Sequence, residues 1–170
     1  MMNHPHIFFI QINEINFEFI DEYIRQGHLP TFKNLFDKHG YVETTSETEH
    51  HLANPWIQWP TVHTGMSYDE HKVFRLGDIV KTDHEMIYEA LESKGVSVAA
   101  LAAFNASNNT KNSKFFMPDP WTKTKFSGSK SLRRIFSALC QVTNDYAKNK
   151  ISFQSYLDLV IGAFVNANFK

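Results

Sequence analysis

Residues 54–65, NPWIQWPTVHTG, hold two of the three tryptophans and two of the six prolines of the chain, with a histidine and two threonines. Bulky aromatics, prolines and hydroxyls mixed this closely suit neither an ordinary surface helix nor a plain core strand. Tryptophans are large and usually buried, and their N–H wants a partner. Proline fits the first position of a helix, where its missing N–H costs nothing, and Asn54 just before Pro55 is a good N-cap residue. The stretch therefore predicts a helix starting at Pro55, whose N-terminal end is a ready place for an anion.

Around it the chain alternates. Residues 7–12 (IFFIQI) form a short apolar run that predicts a strand buried on both faces, as in a parallel sheet, with Asn13 and Glu14 at its carboxyl end. In open α/β sheets that edge is where ligands bind. Phe19, Ile20, Tyr23 and Ile24 recur at helical spacing with Glu18, Asp21 and Glu22 among them, and Gly27 and Pro30 end the pattern. Thr31 is the expected cap of a second helix carrying Phe32, Leu35 and Phe36, closed by Gly40. Residues 41–45 (YVETT) read as a second strand, and 67–80 as irregular. Asp83 is the expected cap of a helix with Met86, Ile87, Ala90 and Leu91 on one face, stopped by Gly95. Residues 96–104 (VSVAALAAF) repeat the buried-strand pattern, and 115–121 (FFMPDPW) must extend or turn because of their prolines. Leu132, Ile135, Phe136, Leu139 and Val142 mark one closing helix, and Tyr156, Leu157, Val160 and Phe164 a second.

These alternations give an α/β fold class, a mostly parallel sheet flanked by helices with a helical C-terminal segment. The 170 residues suit one domain, whose pattern stops with the sheet still short. A formal charge of −1 offers no electrostatic case for a nucleic-acid duplex. One cysteine, Cys140, excludes a disulfide framework and a thiolate metal cluster. No apolar run reaches the ~18 residues of a membrane span. The opening MMNHPH lacks the basic start and apolar core of a secretion signal, so a cytoplasmic location is the expectation.

The order of strand, polar pair, amphipathic helix, LPTFKNLF (29–36), strand, hydroxyl-rich helix ending in Thr64–Gly65, and MSYDEH (66–71) resembles the front of an alkaline phosphatase superfamily protein. The type I phosphodiesterase/nucleotide pyrophosphatase and sulfatase-like group is the most similar branch, and VSVAALAAFNASN resembles its later strand. The likeness runs over roughly residues 6–120. It implies a metal-dependent hydrolase of phosphoric (phosphodiester or nucleotide) or sulfuric esters, acting on a small-molecule phosphate or sulfate ester with divalent Zn, Mn or Ca. In that group the first strand ends on a metal-binding aspartate, and a helix N-terminus presents the nucleophile.

The departures set the alternatives. Asn13 stands where the family has its aspartate, with Glu14 next to it; either the two line a metal, or they cap the following helix. The family's interval from Thr64–Gly65 places the nucleophile at Pro55, which cannot attack, beside Asn54. Thr61 is the substitute hydroxyl if Pro60 is itself a first helical residue; otherwise Thr61 packs inside a helix, and Pro60 removes the bond to the Trp56 carbonyl. Trp56, His63 and Asn105 are the candidate substrate-binding residues, with His71 a further candidate. Asp119, held between two prolines, is a capping or binding candidate. The family's Asp-His-Gly-type motif and later histidines do not follow Trp121, so a two-metal cage would need a longer protein of which this chain is the N-terminal part. The alternative reading is a catalytically inactive α/β domain of the same kind that binds through its aromatic cleft.

Overall fold

The computed structural model describes residues 6–145 and 151–167; the MMNHP opening lies outside them. The chain divides into two compact units, Met1–Ser46 and Glu47–Lys170.

In the first unit, helix α1 (Phe17–Arg25) starts where Asn16 accepts the Phe19 N–H at 3.2 Å through its side chain, an ordinary N-cap. Glu18 in the first turn and Arg25 in the last complement the helix dipole. Helix α2 (Pro30–His39) begins two residues earlier than Thr31 capping would have it. Leu29 is its N-cap and Pro30 its first residue, so the fixed proline φ sets the start instead of a side-chain cap. Gly40 closes it at φ 68°, which only glycine adopts at no steric cost. Phe36 packs on Tyr41 at 5.0 Å between ring centroids.

The two expected strands of this unit do not form: residues 7–12 and 41–45 are in no ladder. Ile7, Phe8 and Ile10 are 81%, 88% and 77% exposed. The apolar run has the composition of a buried strand, but a strand exists only where a neighbour pairs with it.

The second unit opens with a 3-10 turn at His50–Leu52, then helix α3 (Pro55–Thr64), helix α4 (Tyr68–His71), a 3-10 turn at Asp78–Lys81 and helix α5 (Ile87–Ser93). The segment expected to be irregular thus contains two short helical turns. α5 starts at Ile87 and not after Asp83, because the Glu89 carboxylate reaches back to accept the Met86 N–H at 2.9 Å.

Strands β1 (Ala99–Ala103) and β2 (Phe115–Pro118) make a two-stranded parallel sheet, with Ala99 opposite Phe115 and Leu101 opposite Met117. The fold is therefore mixed helix and parallel sheet, but a broad sheet flanked by helices is not present among the described residues. β1 keeps only the middle of the expected 96–104 strand. A register shift between Leu101 and Ala103 puts Ala102 in the left-handed region at φ 54°, the mark of a bulge. Leu101, next to buried Ala100 and so on the opposite face of the strand, stays exposed.

Val73, Ile79, Met86, Tyr88, Val98, Ala100, Ala103, Ala106 and Phe116 form the core between α5 and the sheet. Helices α6 (Lys130–Asp145) and α7 (Phe153–Asn166), placed where the apolar spacing predicts helices, close the chain as a packed pair. Among the described residues, no helix is long and apolar enough to cross a membrane.

Candidate functional site

α3 carries the central stretch, with Asn54 at the N-cap position, Pro55 first, and Gly65 as a left-handed C-cap at φ 72°. Asn54 does not cap with its side chain; its Nδ2 donates to the His51 carbonyl at 2.9 Å. Pro60 lies inside the helix, not at the start of a new one. Thr61 consequently sits six residues after Pro55, about 9 Å along the axis at the usual rise. The alternative in which Pro60 starts a helix and Thr61 joins Asn54 at an anion-binding helix end is corrected: Thr61 lies in the last turn of α3 and Asn54 at its N-cap.

Proline at position 60 has no N–H for the carbonyl of Trp56, four residues back. That carbonyl accepts instead from Asn105 Nδ2 at 2.5 Å. Asn105 is fully buried and itself left-handed at φ 44°. Its Oδ1 accepts the Gly77 N–H at 2.8 Å, and its own N–H donates to Asp119 Oδ2 at 2.8 Å. An asparagine expected to line a cleft instead ties the end of β1 to α3 and to the Gly77 turn. Asp119, buried between its prolines, accepts four hydrogen bonds in all: from Asn105 N–H, Trp121 N–H, Thr122 N–H and Thr122 Oγ1. The capping alternative for Asp119 is the one the geometry carries. Asn105 and Asn108 each head an Asn-x-Ser/Thr triplet, but both are buried. Asn108 Nδ2 donates to the Lys125 carbonyl at 2.8 Å, so neither amide is accessible for glycosylation in the folded chain.

His71 and Thr61 do meet. His71 Nε2 lies 3.0 Å from Thr61 Oγ1, and His71 Nδ1 accepts the Val73 N–H at 2.9 Å. A backbone N–H only donates, so Nδ1 is the unprotonated nitrogen of the neutral ring and Nε2 carries the hydrogen. Nε2–H therefore donates to Thr61. Burial, with the neighbouring His84 charge adding to it, holds the His71 pKa below its ordinary value and favours this neutral form. The His71 carbonyl accepts from His84 Nε2 at 3.1 Å. In nucleophilic dyads and triads the base nitrogen facing the hydroxyl must be free, with the other ring nitrogen donating to an orienting group. Here the roles are reversed, so this histidine cannot take the Thr61 proton.

His63, 2% exposed, lies between Trp59 and Tyr88. The Tyr88 hydroxyl is 3.3 Å from His63 Nε2. Burial lowers the His63 pKa to about 4 and pushes the Tyr88 phenol up, with Glu89 adding to the rise. Both are neutral at pH 7. Trp56 is at the boundary of exposure, its carbonyl already engaged by Asn105. Tyr88 and His84 were not among the sequence candidates, and nothing in their local spacing marks them.

Asn13 and Glu14 occupy an exposed turn, Glu14 at φ 55°. Asn16, not Asn13, makes the side-chain cap of α1. Among the described residues, no three His, Cys, Asp or Glu side chains gather around a point that could hold a metal ion. One carboxylate and one amide fall well short of the six to eight oxygens of calcium or the four ligands of zinc, so this pair does not by itself fit the divalent ion that the family resemblance implies.

A separate open cleft of about 530 Å³ lies over the core, with Thr82, Asp83, Ser107, Asn109, Lys123 and Lys125 in its lining. None of Trp56, His63 or Asn105 lines it. No family model, no curated protein and no solved structure matches this chain.

Proposed function

We propose that this chain is a catalytically inactive α/β binding domain of the alkaline phosphatase-like kind, whose ligand is a small-molecule phosphate or sulfate ester. The observation that carries the reading is the His71 ring, which accepts from Val73 N–H and so presents a hydrogen, not a lone pair, to Thr61. Asn54, Asn105 and Asp119 are likewise engaged within the fold. What supports an anionic ligand is the open cleft, lined by two lysines and one aspartate among hydroxyls and amides.

Two measurements test this. Titration with inorganic phosphate and p-nitrophenyl phosphate is expected to show binding that weakens roughly tenfold in Lys123→Ala/Lys125→Ala, a loss of about 1.4 kcal/mol. Incubation with bis(p-nitrophenyl) phosphate and Zn or Mn is expected to give no turnover above buffer. Thr61→Val should lower stability by about 1–2 kcal/mol, because the buried His71 Nε2–H loses its acceptor. The second reading is a metal-dependent hydrolase of phosphoric or sulfuric esters in which Thr61, oriented by its 3.0 Å contact with His71, would be deprotonated by a metal and not by the imidazole. Metal-dependent turnover abolished in Thr61→Val would overturn the binding-domain reading in its favour.

A further inference from the structure

The C-terminal hairpin is built inside out. The face α7 turns towards α6 is small and polar, with Ser155 and Gly162 its buried residues. Ser155 Oγ donates to Gln141 Oε1 at 2.7 Å, the Ser152 N–H donates to the same oxygen at 3.2 Å, and Ser131 Oγ donates to Asn166 Oδ1 at 3.2 Å. Gly162 lets the two helices close, since a Cβ there would run into Ile135 Cγ1 and Cδ1. α6 in turn rests on the preceding segment. Phe136 stacks on Phe126 at 5.4 Å, and Arg133 lies over the Phe126 ring at 5.0 Å.

The large side chains of α7 point the other way. Phe153, Tyr156, Leu157, Val160, Ile161 and Val165 are between 39% and 77% exposed. They recur every three to four residues along a helix about 21 Å long, so they form one stripe. A helix normally buries such a stripe and exposes its polar side; α7 does the opposite. Phe153 and Tyr156 alone offer roughly 250 Å² of ring surface at these exposures. With the four aliphatics added, the face exceeds the scattered apolar exposure normal for a monomer and approaches the ~800 Å² that each partner contributes to a stable interface.

We propose that α7 is the seam of a two-fold symmetric homodimer, packed antiparallel on α7 of a second copy with the axis near Val160. Two features select a second copy as the occupant. The helix FQSYLDLVIGAFVN carries one charge, Asp158, which is half-buried, so two copies meet with no exposed like charges in the seam. The stripe is also self-complementary. An axis at Val160 sets Val160 against its own symmetry mate and Tyr156 against Phe164 of the second copy, so large meets large at the centre and towards both ends. A lipid surface fits less well, because a surface-lying helix carries lysine or arginine on its polar side, and α7 has neither.

The test is the mass of the full chain by light scattering. The expected value for the wild type is twice the 19.7 kDa of one chain. Leu157→Glu/Ile161→Glu should halve it and leave the far-ultraviolet circular dichroism unchanged. Should that variant fail to fold, cysteine linking decides. In a Cys140→Ser background, Val160→Cys should give a disulfide-linked pair on a non-reducing gel, while Phe153→Cys should not, being about 20 Å from its symmetry mate along an antiparallel seam. A wild-type mass of one chain, or equal linking through position 153, would overturn the proposal. A single chain that floats with phosphatidylserine vesicles would overturn it in favour of lipid.

Discussion

Replacing Asp119 by alanine should cost this fold about 3–5 kcal/mol, a large part of the ~5–15 kcal/mol by which a domain is stable. The carboxylate is buried and accepts four hydrogen bonds, three of them from backbone N–H groups with no ladder to fall back on. Each buried donor left without an acceptor costs about 1–3 kcal/mol, less where water enters the space. Asp119→Asn separates charge from geometry. One amide oxygen still accepts from Trp121 and Thr122, while the new NH₂ faces the Asn105 N–H, so a loss of about half the alanine value is expected. Urea unfolding of the three proteins measures this as a shift in midpoint at constant slope. An alanine variant within about 1 kcal/mol of wild type would mean that water replaces the carboxylate and that the Asn105–Asp119 link does not hold the end of β1 to the end of β2.

Acid should weaken the second unit well before the carboxylates titrate. His63 has an ordinary value of 6.5 and is lowered to about 4 by burial. Between those values the unfolded chain binds the proton and the folded chain does not, so stability falls as pH falls through this window. The contribution is complete above about pH 6.5 and fully lost below about pH 4. The difference amounts to about 3 kcal/mol. His71, also lowered by its burial, adds in the same direction. Unfolding free energies at steps between pH 7.5 and pH 4 measure the slope. His63→Phe keeps an aromatic ring between Trp59 and Tyr88 and should remove most of it. An unchanged slope in that variant would show that His63 takes its proton within the folded state.

Much of α3 was legible in the sequence because its rules are local. Asn54, Pro55 and Gly65 each constrain backbone within a turn of themselves, and they mark the observed ends of the helix. The two closing helices follow from apolar spacing for the same reason. Local rules failed where a partner had to be supplied. IFFIQI reads as a strand by composition, yet no neighbour pairs with it, and its side chains face outwards. Asp83 is a good cap, but Glu89 reaches Met86 first and the helix starts there.

The candidate site shows the same division more sharply. Thr61, His63, Asn105 and Asp119 were visible as chemistry-bearing residues, and the removal of the Trp56 bond by an internal Pro60 was foreseeable. That Asn105 replaces that bond was not, because the two residues stand 49 positions apart. Nor was the orientation of His71, which depends on the left-handed Lys72 (φ 54°) folding Val73 N–H back onto the ring. The amino-acid sequence by itself determined the ends of α3, since Asn54, Pro55 and Gly65 act through φ limits within a turn of themselves. The tertiary structure alone decided which hydroxyl, amide and imidazole are committed to the fold. Hydrogen bonds saturate, and whether a polar group is left over for a ligand depends on every donor and acceptor that the folded path brings within 3 Å of it.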